Sequence, residues 1–166
     1  MNSLKKLFHI LSLTLFSLLV MSAVCFAEKP DIKSDSQRFD FSTMRYVLDG
    51  NVTVSWSNRV IKADHAQVSI ATLEVWAQDN ITLRQDDIFF RGDVLHVAGG
   101  SNSADINGNT LFERGDLKIT ADNASFSWDT KIADFKNNVK ITEAGNTRKI
   151  NHLQYNVITG EFILEE

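Results

Sequence analysis

Cysteine occurs once in the chain, at position 25, and proline once, at position 30. The lone thiol falls inside an apolar N-terminal stretch. Residues 28–166 therefore carry no disulfide framework, no thiolate metal site and no thiol nucleophile. With no proline after Pro30, every later residue keeps a backbone N–H for ladder pairing. Positive charge is also in deficit, with 17 Lys and Arg against 21 Asp and Glu. A nucleic-acid binder needs a basic face for the phosphate backbone, so nucleic acid is not an expected partner. HExxH, CxxC, GxSxG and glycine-rich phosphate loops do not occur. His65, His96 and His152 lack the spacing of metal ligands and read as solvated surface residues, and Asp86-Asp87 reads as a turn. No catalytic residue, metal or cofactor is expected, and the chain is not read as an enzyme. Helical periodicity, low-complexity tracts and linkers are missing as well.

Lys5 and Lys6 precede residues 7–24, which are almost wholly apolar or small, and Cys25 and Ala27 stand just before Glu28. This is the layout of a secretory signal peptide, 1–27, cleaved after Ala27. Retention of the segment as a membrane anchor is the alternative, since such a stretch can just span a bilayer. Cleavage removes two lysines and no acid, leaving 15 basic and 21 acidic residues, a net charge of −6. Residues 28–166 are long enough for one domain with a sizeable core.

What the sequence does contain is a repeat. IKSDSQRF (32–39), IKADHAQV (61–68), FRGDVLHV (90–97), ITADNASF (119–126) and RKINHLQY (148–155) start 29 residues apart, and so do NVTV (51), NITL (80), NTLF (109) and NVKI (138). A fixed period in this range marks stacked supersecondary units. Each unit reads as two strands. The strand with Asn alternates, as in Tyr46, Leu48, Val52, Val54 and Trp56, with one face buried. The strand with Asp alternates with a hitch: Ile61 and Ala63 share a face, and the phase resumes at Ala66 and Val68. A step of three marks a bulge or corner, with the Asp placed to bond a nearby backbone N–H. Turns are expected at Asp49-Gly50, Ser57-Asn58, Asp86-Asp87, Gly99-Gly100, Asn107-Gly108, Gly145-Asn146 and Thr159-Gly160. The class is all-β, with roughly ten strands by this pattern. Trp56 and Trp128 fall on the apolar phase and are expected in the core, whereas Trp76 falls outside.

The motifs I-K-S-D (32–35), D-G-N-V-T-V (49–54) and I-K-A-D-x-A (61–66), continued by N-I-T-L (80–83) and I-T-A-D-N-A (119–124), resemble the OstA-like family across nearly all of 28–166. The resemblance implies an open, twisted β-jellyroll and a periplasmic lipopolysaccharide-binding transport protein. It implies acyl chains held in an apolar slot and head-to-tail homo-oligomers bridging inner to outer membrane. Partners would be lipopolysaccharide and other Lpt-type transport components at both membranes. The slot-lining candidates are Phe39, Val52, Val54, Trp56, Ile61, Val68, Ile81, Leu83, Phe112, Ile119, Phe126, Phe135, Val139 and Ile141. Such a slot needs no catalytic group, because each acyl CH₂ moved from water gains about 0.8 kcal/mol. Lys62, Arg91, Lys118 and Lys149, just before the corners, read as solvated strand positions or as a rim for phosphates. The last strand, at 161–166, is cut in mid-unit and leaves an edge that invites another strand or is blunted by Glu165-Glu166. Two other readings stand: a membrane-anchored LptC-like partner with the same fold, and a structural or adhesive parallel β-helix in which Asn51, Asn80, Asn109 and Asn138 stack as an internal ladder.

Overall fold

The computed structural model describes residues 30–163. The expected signal peptide, 1–27, and the terminal Leu164-Glu165-Glu166 lie outside the described residues. The described chain is an open antiparallel sheet of 11 strands, folded on itself into a jellyroll. The strands are β1 (Asp31–Lys33), β2 (Ser36–Asp40), β3 (Arg45–Trp56), β4 (Arg59–Ser69), β5 (Glu74–Gln85), β6 (Ile88–Ala98), β7 (Ser103–Arg114), β8 (Leu117–Ser127), β9 (Ile132–Glu143), β10 (Asn146–Asn156) and β11 (Phe162–Ile163). From β3 onward each strand pairs with the next, while β1 and β2 both pair with β3. Every pairing is antiparallel. That excludes the parallel β-helix. A 29-residue unit is spent on two long strands and two short turns, leaving too few residues for a parallel crossover.

Each long strand breaks register once, at the repeated Asn or Asp. The β3–β4 ladder shifts between Asp49/Val52, so that Gly50 and Asn51 oppose the single Asp64. Both residues take left-handed backbone, Gly50 at φ 76° and Asn51 at 48°. The same left-handed pair recurs at Asp79 and Asn80, Gly108 and Asn109, and Asn137 and Asn138. Glycine and asparagine enter this region most readily. Asp49-Gly50 and Asn107-Gly108, expected as turns between strands, are therefore corners inside β3 and β7.

The corner also corrects the role of the aspartate. Asn51 Nδ2 donates to Asp35 Oδ2 at 2.8 Å, Asn80 to Asp64 at 2.5 Å, Asn109 to Asp93 at 2.7 Å and Asn138 to Asp122 at 2.7 Å. The carboxylate takes a side-chain amide 16 residues further on, not the nearby backbone N–H expected of it. A residue on a neighbouring strand supplies the donor, so the two repeated residues are one device.

Corners divide the sheet into two facing walls. Wall A holds β1, the parts of β4, β6, β8 and β10 before the corner, and the parts of β3, β5, β7 and β9 after it. Wall B holds the remainder. Ring contacts across the walls are offset along the stack. Phe90 in β6 meets Phe126 in β8 at 5.9 Å and Phe135 in β9 at 6.4 Å between centroids. Phe112 in β7 meets Phe135 at 5.6 Å and Tyr155 in β10 at 5.7 Å. Wall A thus faces wall B two or three strands further along, the stagger that sheet twist imposes on a folded sheet. The interior is apolar throughout; among the described residues the only buried polar side chains are Ser69 and Thr110.

Candidate functional site: an apolar slot between two walls

The sequence-predicted slot residues come together on the inner faces. Val52, Val54, Ile61, Val68, Ile81, Leu83, Phe112, Ile119, Phe126, Phe135, Val139 and Ile141 are all buried in one cluster. Trp56 is half-buried against that cluster. Phe39 is half-buried, edge-on to Phe41 and Tyr46 at 5.0 Å each. Phe90, Leu95, Ile106 and Leu153, not among the predicted residues, are equally central. Alternation marks them too: Phe90, Leu95 and Leu153 lie within the repeated Asp-strand motifs, and Ile106 shares a face with Ala104 and Phe112. In the middle of the stack these side chains fill the space between the walls themselves.

The slot is accessible at its ends. At the N-terminal end a small apolar vestibule is lined by Pro30, Val54, Trp56, Val68, Leu73 and Val75. At the C-terminal end a cleft of about 680 Å³ opens between Ile141, Glu143, Asn146, Arg148 and Phe162. The stagger accounts for both. The last strands of wall A have no wall B strands opposite them among the described residues, and the first strands of wall B have no wall A opposite. Apolar side chains gather at the N-terminal rim, where Phe41 is 81% exposed and Met44 63%.

Along the seam, hairpin tips from the two walls meet through polar side chains. Trp128 Nε1 donates to Gln85 Oε1 at 2.5 Å, and Arg114 Nη1 donates to the Tyr155 hydroxyl at 3.0 Å. The Arg59 guanidinium lies 4.2 Å from the Trp128 ring centroid and 6.0 Å from that of Trp56. Trp128 is thus a buried core residue, as expected, but one held by a bond to the opposite wall.

The outer faces carry the remaining polar groups. Trp76 lies outside, stacked on His96 at 5.2 Å with the Arg45 guanidinium 3.6 Å from its centroid. His65 Nδ1 lies 2.9 Å from Asp49 Oδ1, and this bond raises its pKa above the ordinary 6.5. His152 is half-buried and not freely solvated, with Nε2 2.7 Å from Asp134 Oδ1. Lys62, Arg91, Lys118 and Lys149 are exposed on the outer face of wall A, away from the interior.

Comparison with known proteins then decides the relationship. Residues 31–161 match the model of the LptA/(LptD N-terminal domain) LPS transport protein family. The chain belongs to that family. Among solved structures it is similar to LptH, the LptA homologous periplasmic component of the lipopolysaccharide transport device from Pseudomonas aeruginosa. That match has 12% identity, covers 82% of this chain and 81% of that one, and has a TM-score of 0.39. No curated protein matches. Membership of the LptA/LptD N-terminal family agrees with the open β-jellyroll and its continuous apolar interior.

Proposed function

We propose that this LptA-type protein works in the periplasm, carrying lipopolysaccharide with its acyl chains in the slot between walls A and B. The observation that carries the reading is an apolar interior, open at both ends, in which no charged residue is fully buried among the described residues. Area alone holds such a ligand: at about 0.8 kcal/mol per CH₂, a dozen carbons correspond to roughly 10 kcal/mol before ordering costs. The glycan and phosphates stay outside the seam. Further copies and the other transport components at the two membranes join head to tail. Two free strand edges support this: that of β10 over 146–153 and that of β1 and β2 have no partner among the described residues.

The test is expression of residues 28–166 in a Gram-negative periplasm with a photo-crosslinking residue at Val54, Phe135 or Ile141. Lipopolysaccharide crosslinked at Val54 and Ile141 supports end access, and crosslinking at Phe135 adds that the walls part. Lipid-free protein, with no crosslink after added lipopolysaccharide, overturns the reading.

A further inference from the structure

Arg59 is the anomaly of the seam. It opens β4 at the tip of wall A, next to Gln85 in the ladder. Its Nε is buried and has no hydrogen-bond partner. Burial lowers its pKa, so its charge is held without full compensation. The carboxylates of the neighbouring hairpins are committed elsewhere. Asp86 accepts from Asn58 Nδ2 at 2.7 Å, Asp87 from Arg114 Nε at 2.8 Å and Asp129 from Asn102 Nδ2 at 2.6 Å. What surrounds Arg59 is aromatic: Trp128, 2% exposed, and Trp56, which also lines the N-terminal vestibule. A guanidinium on an indole keeps its edge donors free, and those donors match the oxygens of a phosphate or carboxylate. An unsatisfied buried donor is costly, so an anion that draws the guanidinium outward is recognised by removing that cost.

We propose that Arg59, seated against Trp128 and beside Trp56, is an anion-recognition site at the seam, selecting amphiphiles whose phosphate or carboxylate headgroup lies next to an acyl chain in the slot. This rests on the slot reading above and adds a headgroup preference to it. Because the same Trp128 is tied to Gln85 of the opposite wall, an anion drawing Arg59 outward also loosens that seam contact.

The experiment compares dodecyl phosphate, dodecyl maltoside and inorganic phosphate on the 28–166 protein, by calorimetry and tryptophan fluorescence. The variants are Arg59→Gln, which keeps length without charge, and Arg59→Lys, which keeps charge without the planar fork. Thermal unfolding and strand circular dichroism are checked for each. The expected result is a loss of about tenfold or more in dodecyl phosphate affinity for Arg59→Gln, a smaller loss for Arg59→Lys, and no change for dodecyl maltoside. Inorganic phosphate should bind weakly or not at all without a chain. Equal losses for both amphiphiles, or none for either, overturn the anion site while leaving the slot standing. If neither amphiphile binds the unsubstituted protein, the slot reading and this site both fall. Tight binding of inorganic phosphate alone replaces the headgroup site by a free-anion site.

Discussion

The corner pair lends itself to a charge-swap experiment. Asn109 Nδ2 donates to Asp93 Oδ2 at 2.7 Å, and Asn109 holds left-handed backbone at φ 48°. Asn109→Asp keeps the shape and much of the left-handed tolerance but replaces the donor by a second carboxylate. The lost bond to a charged, exposed acceptor is worth about 1 kcal/mol, and carboxylate repulsion at that separation in a watery environment adds about 1 kcal/mol more. The sum, about 2 kcal/mol, should lower Tm by roughly 8 °C for a domain of this size. The swapped protein, Asn109→Asp with Asp93→Asn, restores a donor and an acceptor across the corner. It should recover to within about 0.5 kcal/mol of the unsubstituted protein, a coupling far outside simple additivity. Urea and thermal unfolding followed by circular dichroism provide the cycle. If Asn109→Asp costs under about 0.5 kcal/mol, or the swap is no better than the single substitution, the side-chain pair is incidental. The corners would then be held by backbone geometry alone.

Phe112→Ala removes a ring in contact with Phe90, Phe135 and Tyr155 and should cost about 3–5 kcal/mol, read from urea midpoints. His65 gains a partner in the fold and its pKa is raised, chiefly by the hydrogen bond to Asp49, so that stabilisation is present below pH 6.5 and is lost as pH rises through the raised value. Asp49→Asn should bring the NMR titration midpoint of His65 back toward 6.5; an unmoved midpoint would dismiss Asp49 as the cause. Lys131 sits at φ 62° where the equivalent residue one unit earlier is Asn102, so Lys131→Asn should raise stability by a few tenths to about 1 kcal/mol in thermal unfolding.

Strand alternation and the 29-residue period made the two-strand unit, the corners of the Asp strands and much of the inner face legible in the amino-acid sequence alone, while the corners at Asp49-Gly50 and Asn107-Gly108 read as turns. The pairing of Asn with Asp was not legible there. Both residues are common at turns for local reasons, and only the folded ladder shows that position 109 reaches position 93. Direction was also hidden, because stacked repeats of this length suit a parallel coil or an antiparallel meander until the turns joining β3 through β10 are seen to be two or four residues long. Backbone strain left a faint trace. Met44, Leu73 and Lys131 take left-handed conformations at the same point of their units, where no glycine or asparagine announces it. The seam contacts of Arg59, Gln85 and Trp128 depend on the stagger of the walls, a property of accumulated twist that no local pattern encodes.

That stagger makes the molecule a kind of ruler. Neighbouring strands lie about 4.8 Å apart, so each unit of two strands advances the slot by roughly 10 Å. An insertion of one whole 29-residue unit would lengthen the carrier by that step and leave both ends with the overlap they had. An insertion of an odd number of residues within a strand flips the alternation beyond it and turns apolar side chains out to water. Reach is thus adjustable only in fixed increments, and each increment brings its own corner clasp and its own share of the greasy track.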